Sequence, residues 1–358
     1  MQTRRGLRDI TNKAAGGAGQ GEGKGGKKAA PGASVVESVP VAAAAQSTAA
    51  PQVAPAQSAA PGDRAAGSGF STQPATRRGK NIVPSNKTAT DIDARDAHEL
   101  VAVTEYVEDL YAYLRERETE TAVDAGYMEG QPSINERMRS ILIDWLAEVH
   151  LKFKLVPDTM YLTVYIIDKY LETEHVTRQN LQLVGVTAML LASKYEEIYP
   201  PEIRDLVHIT DRAYNKEQIL EMETAMANAL EFRLTVPTIY CFLLRYLKAA
   251  HADKRIVQLS CYVSERMLQE LRMLDFLPSV LACCAIYIAR KNLQRHPWSP
   301  TLVKYTHYHE ADLQPCLEEI DRVLRSRSEL VAIKKKFSSQ KFGAVALMDI
   351  DVLGDASM

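Results

Sequence analysis

From Asn180 to Glu197 the chain reads NLQLVGVTAMLLASKYEE, and apolar or small residues occupy nearly the whole circumference of the helix this segment would form. A surface helix keeps a polar face, so a helix of this kind has to be surrounded by other helices. Gly185, Ala188 and Ala192 leave room for those neighbours to approach closely. Lys194 closes the same segment, and an ammonium held on a buried helix is costly unless it is paired or reaches something polar. The lysine therefore needs a partner, which can lie in another protein.

The flanking sequence supplies the surrounding helices. Glu99 to Glu118 is amphipathic, and Asn135 to Lys154 sets Met138, Ile141, Leu142, Trp145, Leu146, Val149 and Phe153 on one stripe. Pro157, beside Asp158, starts the next helix, which runs through about Leu171. The central segment follows from Arg178 and stops before Pro200-Pro201. Two more helices are expected near Glu202 to Ile209 and Asn215 to Glu231. Beyond Pro237 a second set is expected near Ile239 to Ala250, Lys254 to Leu271, Ser279 to Leu293, Pro300 to Thr306 and Ala311 to Lys336. At an offset of 97 residues, Gly185, Ala188, Ala192 and Lys194 fall on Ala282, Ala285, Ala289 and Lys291. Strand-like alternation is nowhere sustained. The reading is an all-α protein with two similar helical bundles in tandem.

Composition separates this body from an arm. Residues 1 to 89 hold twelve Lys or Arg against four Asp or Glu, so the remainder carries about −10 of the net −2. From Ala14 to Thr90 the sequence is mostly Ala, Gly, Pro, Ser and Gln, with Phe70 its only aromatic residue. Such a segment buries too little apolar surface to offset its ordering entropy and is expected to be disordered. The five cysteines form no CxxC pair and no Cys/His metal spacing, which suits reduced core thiols. With no apolar run of membrane-spanning length and no signal-peptide core at the N-terminus, a soluble intracellular protein is expected.

Four charges stand out within the first set. Arg139 sits beside the apolar stripe of its helix and Asp168 lies within MYLTVYIIDKYL on the next, so a pair joining the two would account for both. Lys194 and Glu223 are similarly placed toward the ends of two later helices. Ordinary solvated surface charge is the competing reading.

Through MRSILIDWLAEVHLKFKLVPDTMYLTVYIIDKYL and LQLVGVTAMLLASKYEEIYPPEI the chain resembles a cyclin, in particular a B-type mitotic cyclin of the plant and green-algal kind. The resemblance covers about residues 98 to 335. It implies tandem five-helix cyclin boxes: a disordered arm over 1–95, an N-terminal box with its preceding helix over 96–235, a C-terminal box over 236–336 and a tail over 337–358. Arg139, Asp168, Leu183, Lys194 and Glu223 match the family's signature positions, with Arg139 and Asp168 as an internal ion pair. Lys194 and Glu223 are implied to hydrogen-bond the backbone around the mobile helix of a cyclin-dependent kinase, with Tyr195 and Ile198 as apolar contacts. Tyr106 and Leu110 match residues that clasp the kinase from the side. The role implied is allosteric: by binding the active conformation of the kinase, a cyclin shifts its population without supplying a catalytic group.

The resemblance implies two further surfaces. Met138, Leu142 and Trp145, on the exposed edge of their helix, match with Leu181 and Gln182 a hydrophobic docking patch for substrates carrying Arg-x-Leu motifs, while Glu148 and Asp211 match the acids that face the motif's arginine. Without the resemblance, Met138 and Trp145 read as ordinary core residues. In the arm, Arg4, Leu7, Ile10 and Asn12 fit R-x-x-L-x-x-I-x-N, the destruction box read by the anaphase-promoting ubiquitin ligase. Lys13, Lys24, Lys27 and Lys28 lie nearby as ubiquitin acceptors. Residence in nucleus and cytoplasm, varying through the cell cycle, is implied as well. The basic clusters Gly23 to Lys28 and Arg77 to Lys80 suit nuclear import or a merely solvated arm.

Other classes fit less well. The chain lacks a phosphate loop, kinase H-R-D and D-F-G motifs, H-E-x-x-H and G-x-S-x-G, so no catalytic residue, cofactor or metal is expected. A cyclin-fold transcription factor would need a basic box, whereas these boxes are acidic. An A-type cyclin is the nearest alternative, and Tyr195, where A-types more often carry phenylalanine, favours the B-type.

Overall fold

The computed structural model describes residues 89–326 and 329–353. The segment matching a destruction box and both basic clusters of the arm lie outside the described residues. Five helices make the first bundle: α2 (Glu136–Phe153), α3 (Pro157–Thr173), α4 (Arg178–Glu196), α5 (Ile203–Ile209) and α6 (Lys216–Ala229). Preceding them is α1 (Val107–Glu120). The second bundle consists of α7 (Ile239–Ala249), α8 (Lys254–Leu268), α9 (Pro278–Asn292), α10 (Pro300–Thr306) and α11 (Glu310–Arg325), with α12 (Ala332–Phe337) after it. No strand occurs among the described residues.

Local chemistry sets the boundaries. The Asn135 side chain accepts the Met138 N–H at the start of α2, and Asn215 with Gln218 closes a reciprocal capping box on α6. Pro157, Pro278 and Pro300 begin α3, α9 and α10, where a missing N–H costs nothing. Ser299 caps α10, which gives its Ser-Pro pair a structural role.

The two central helices are α4, enclosed by α2, α3 and α6, and α9, enclosed by α7, α8 and α11. Val184, Val186, Ala188, Met189 and Ala192 of α4 are fully buried, as are Ala282, Ala285, Ile286 and Ala289 of α9. Each large aliphatic side chain so enclosed contributes roughly 1.5–3 kcal/mol. A Cβ at Gly185 would lie 2.7 Å from Leu142 Cδ1, so a glycine sets how closely α2 crosses α4. All five cysteines are free thiols, and burial pushes Cys241 and Cys261 up to about 12.

Three helices differ from their sequence-based ranges. The amphipathic stretch from Glu99 is a short 3-10 turn over Leu100–Ala102, and Val103, at φ 42°, turns the chain before α1 begins at Val107. The helix expected to reach Leu271 ends at Leu268, followed by a 3-10 turn over Leu271–Asp275. The long helix expected from Ala311 to Lys336 is two, because α11 stops at Arg325 and α12 starts anew at Ala332. The carboxylate of Asp144, on α2, fixes that new start by accepting the N–H groups of Val331 and Ala332 at 3.2 and 3.0 Å.

One buried ion pair ties both bundles together. Arg139 Nε and one terminal nitrogen donate to the two oxygens of Asp168 at 2.6 Å each, and both side chains are 1% exposed. Tyr127 donates to the same carboxylate at 2.8 Å, and the other guanidinium nitrogen donates to the Leu268 carbonyl at the end of α8. Burial alone would lower the Arg139 pKa, but the carboxylate beside it raises it overall. Ser140 donates to the Gln269 carbonyl at 2.7 Å, continuing the seam.

Residues 90–120 dock on the second bundle. Thr90 and Ile92 donate their N–H groups to Thr301 Oγ1 and Tyr305 Oη. Asp93 accepts a bidentate pair from Arg245 at 2.5 and 2.6 Å, with Lys248 bridging Asp93 and Asp96. The Arg245 guanidinium lies over the rings of Tyr111 and Tyr305. Within α1, Arg115 reaches the Thr306 carbonyl, and the buried Glu118 accepts both the N–H and hydroxyl of Ser279 at the first turn of α9. Burial chiefly raises the Glu118 pKa.

The tail is also packed. Lys336 makes a buried pair with Glu265 at 2.6 Å, and Phe337, Val345 and Val352 are buried. Next to this pair, His150 on α2 donates from Nε2 to the Val156 carbonyl at 2.8 Å, while its buried Nδ1 has no partner. Burial, then the Lys336 charge, lowers its pKa to about 4.

Two outcomes are expected. Arg139→Ala strands a buried carboxylate and should cost about 3–5 kcal/mol in urea unfolding, whereas Arg139→Met with Asp168→Leu should cost far less. An equal loss in both would remove the pair from its role. His150 protonates in the unfolded chain near 6.5 but in the folded chain only near 4. Its stability contribution is therefore whole above about 6.5 and drains as pH falls toward 4. His150→Gln should flatten this part of the melting-temperature profile, and an unchanged slope would count against the assignment.

Candidate partner-binding site

The last turn of α4 and the loop after it carry exposed apolar side chains beside a charged pair. Lys194 Nζ pairs with Glu223 Oε1 of α6 at 2.5 Å. The lysine side chain is 48% exposed and the glutamate 14%. The buried ammonium expected at this position is thus a surface ammonium. α4 is enclosed along its length, but its last turn protrudes past its neighbours, and Glu223 meets the lysine at the rim. Beside it Tyr195, Ile198 and Tyr199 are 47, 86 and 90% exposed. Uncovered aromatic and aliphatic side chains around a charged pair form a surface suited to a protein partner.

The base of this surface is held from below. Glu197 Oε1 accepts the Val156 N–H and the Thr159 hydroxyl, both at 2.7 Å, fixing the chain as it leaves α4. Tyr195 Oη lies 2.5 Å from Thr235 Oγ1. Partial burial, with the Asp158 and Glu197 charges, pushes Glu196 up to about 7. Leu183, by contrast, is 5% exposed and packs inside the bundle.

Leu110 on α1 and Tyr106 just before it are exposed, and α1 is held by the second bundle. Their placement rests on Asp93, Arg245, Glu118 and Ser279. No motif flagged these residues, since each pair is separated by more than 150 positions in the chain.

The apolar edge expected on α2 is largely closed. Met138, Leu142, Trp145 and Leu181 are between 2 and 7% exposed, because α4 presses on α2 at Gly185 and α12 lies along it. What remains is a shallow groove where Trp145, Glu148, Leu151, Ile209, Ala332 and Lys335 meet. Gln182 is half-buried, and Asp211 is exposed at φ 56° just after α5. Among the described residues no cluster of His, Cys, Asp and Glu is arranged to hold a metal, and no helix is long and apolar enough to cross a membrane.

Two five-helix bundles in tandem, each built on an enclosed central helix, define a helical protein whose first unit presents a charged pair among exposed apolar side chains. Residues 109–235 match the family described as Cyclin, N-terminal domain, and residues 237–351 match Cyclin, C-terminal domain. The chain belongs to the cyclin family. It is 46% identical to Cyclin-B2-1 of Oryza sativa subsp. japonica over 74% of this chain and 64% of that protein. It is 47% identical to Cyclin-B1-3 of Arabidopsis thaliana over 72% of this chain and 63% of the relative. The matched region thus spans less than two thirds of each of these B-type relatives. In fold it is similar to a viral cyclin from herpesvirus saimiri, with a TM-score of 0.54 at 18% identity, over 60% of this chain and 94% of the viral one.

Proposed function

We propose that this chain is a B-type cyclin that binds and activates a cyclin-dependent Ser/Thr protein kinase at the G2/M transition, acting by allostery. The observation that carries this reading is the Lys194–Glu223 pair standing among Tyr195, Ile198 and Tyr199 on an otherwise enclosed helix. A mobile helix of a kinase presents backbone carbonyl and N–H groups at its ends, which an ammonium and a carboxylate satisfy, while the exposed side chains cover its apolar face. Binding that favours the helix-inward state raises the active fraction by the differential affinity alone. Tyr106 and Leu110 extend the same contact from α1.

The groove on α2 supports a docking role for Arg-x-Leu substrates, with Glu148 and Asp211 facing the arginine. Trp145 lines it, with Met138, Leu142, Leu181 and Gln182 forming its support. The N-terminal Arg4, Leu7, Ile10 and Asn12 fit a destruction box for the anaphase-promoting ubiquitin ligase, which suits turnover at mitotic exit and residence in nucleus and cytoplasm.

An exposed ion pair contributes only about 0–1 kcal/mol to folding, so Lys194→Ala and Glu223→Ala should keep their helical circular dichroism while losing at least about tenfold in kinase binding, the equivalent of 1.4 kcal/mol. Full kinase activation by both purified variants would sink the assignment. In the same assay Glu148→Lys should reduce phosphorylation of Arg-x-Leu substrates and spare short peptides. Glu148 is the cleaner probe because truncating the buried Trp145 would damage the core. Deleting residues 4–12 should prolong the protein's lifetime past mitosis, and unchanged turnover would remove the degron.

A further inference from the structure

The central helices α4 and α9 correspond under a shift of 97 residues, but their last turns meet different partners. At the end of α4, Lys194 and Tyr195 are exposed. The corresponding residues of α9 are Lys291 and Asn292, and both are occupied. Lys291 Nζ donates to the Val352 carbonyl at 2.9 Å and pairs with the Asp351 carboxylate at 3.0 Å. Asn292 donates from Nδ2 to the Asp351 carbonyl at 2.7 Å and accepts the Asp351 N–H at its own oxygen at 2.9 Å. Three of these four contacts go to main-chain groups. The Val352 side chain, next in line, is 1% exposed.

The segment reaches this position by a defined path along α8. Gly343 turns it at φ 69°, a left-handed conformation that strains other residues, beside the Gln258 side chain of α8. Val345 and Ala346 are buried beyond the turn, and Arg255 reaches Met348 Sδ. A segment of main chain held by side chains of another element, with one aliphatic anchor and one charged contact, is how a protein holds a peptide ligand. Neighbouring core helices in this fold instead pack through apolar faces.

We infer that the last turn of α9 is a peptide-capture site for a segment carrying an acidic residue followed by a β-branched aliphatic one, and that Gly343–Leu353 is its ligand in cis. The chain then has two lysine sites at equivalent positions, one at the surface and paired with Glu223, the other covered by its own tail. The contrast with an open kinase-binding site rests on the function proposed above, whereas the capture site does not. A short tether sustains an effective concentration on the order of 1 mM. A free-peptide Kd of about 0.1 mM is therefore enough to keep the site about nine-tenths closed.

The test uses the full chain and a fluorescent peptide with the sequence of residues 343–353. Val352→Glu should release the tail and create saturable peptide binding at or below about 0.1 mM, while the unaltered chain binds about tenfold more weakly. Adding Lys291→Ala should weaken that binding at least about tenfold, the equivalent of 1.4 kcal/mol. A folded Val352→Glu chain that fails to bind the peptide overturns the inference. Loss of the helical signal in Val352→Glu also overturns it, because the tail would then be part of the folding core. In Lys291→Ala alone, amide exchange at 349–353 should rise while α4 and α9 stay protected, and unchanged exchange there overturns the inference too. The Lys194 variants leave peptide binding unaltered, so failure of the kinase assay and failure of this one are separate results.

Discussion

The fold depends on a guanidinium that answers to two bundles at once. Arg139 leaves α2, meets Asp168 on α3 with two donors and spends a third on the end of α8. Desolvating both charges is expensive, and only a fully satisfied geometry offsets it. What the pair gains is registry. The carboxylate is further fixed by Tyr127, and the Leu268 carbonyl is available only when α8 ends at the correct place against α2. The early stop of α8 and the following 3-10 turn belong to the same arrangement, since Gln269 turns its side chain to Asp144 and its carbonyl to Ser140.

Carboxylates recur as remote caps. Glu118 on α1 holds the first turn of α9, and Asp144 on α2 holds the first turn of α12. Each supplies negative charge where a helix presents unpaired N–H groups, and each fastens a helix outside the bundles to one inside. Both carboxyls are pushed up by burial, opposed by the hydrogen bonds they accept. The helices flanking the two bundles are thus held by a few directed polar contacts as well as by apolar area. For α1 this has a functional side, because the contacts that fix Tyr106 and Leu110 in space lie in the second bundle.

Much of the architecture was legible in the sequence. The all-round apolar character of Asn180–Glu197 required an enclosed helix, and the small-residue echo 97 positions on required a second. Proline and Asn/Ser starts marked the beginnings of α2, α3, α6, α9 and α10. Periodicity did not show how far the last turn of α4 protrudes, so Lys194 read as buried when it stands at the rim. It also hid the break between α11 and α12, which is imposed by Asp144 from 188 residues away. The clamp of Asp93 on Arg245 and Lys248 carried no sequence signal, since an acid before one bundle and two bases in another have no spacing to recognise. On α2 the stripe was apparent, but its closure by Gly185 and α12 was not, because sequence shows which residues share a face and not how tightly that face is covered.

The route by which the arm joins the body has a mechanical consequence. The described chain begins not on the first bundle, to which it is adjacent in sequence, but on the second, pinned through Thr90, Ile92 and Asp93 to Thr301, Tyr305 and Arg245. Traction applied to the arm therefore loads α7 and α10 before any residue of α2–α6 is strained. The clamp is short and polar, and beyond it α1 is held at its far end by Glu118 against Ser279 of α9. Pulled from its N-terminus, this chain is loaded first in its second bundle, across a whole bundle of intervening sequence.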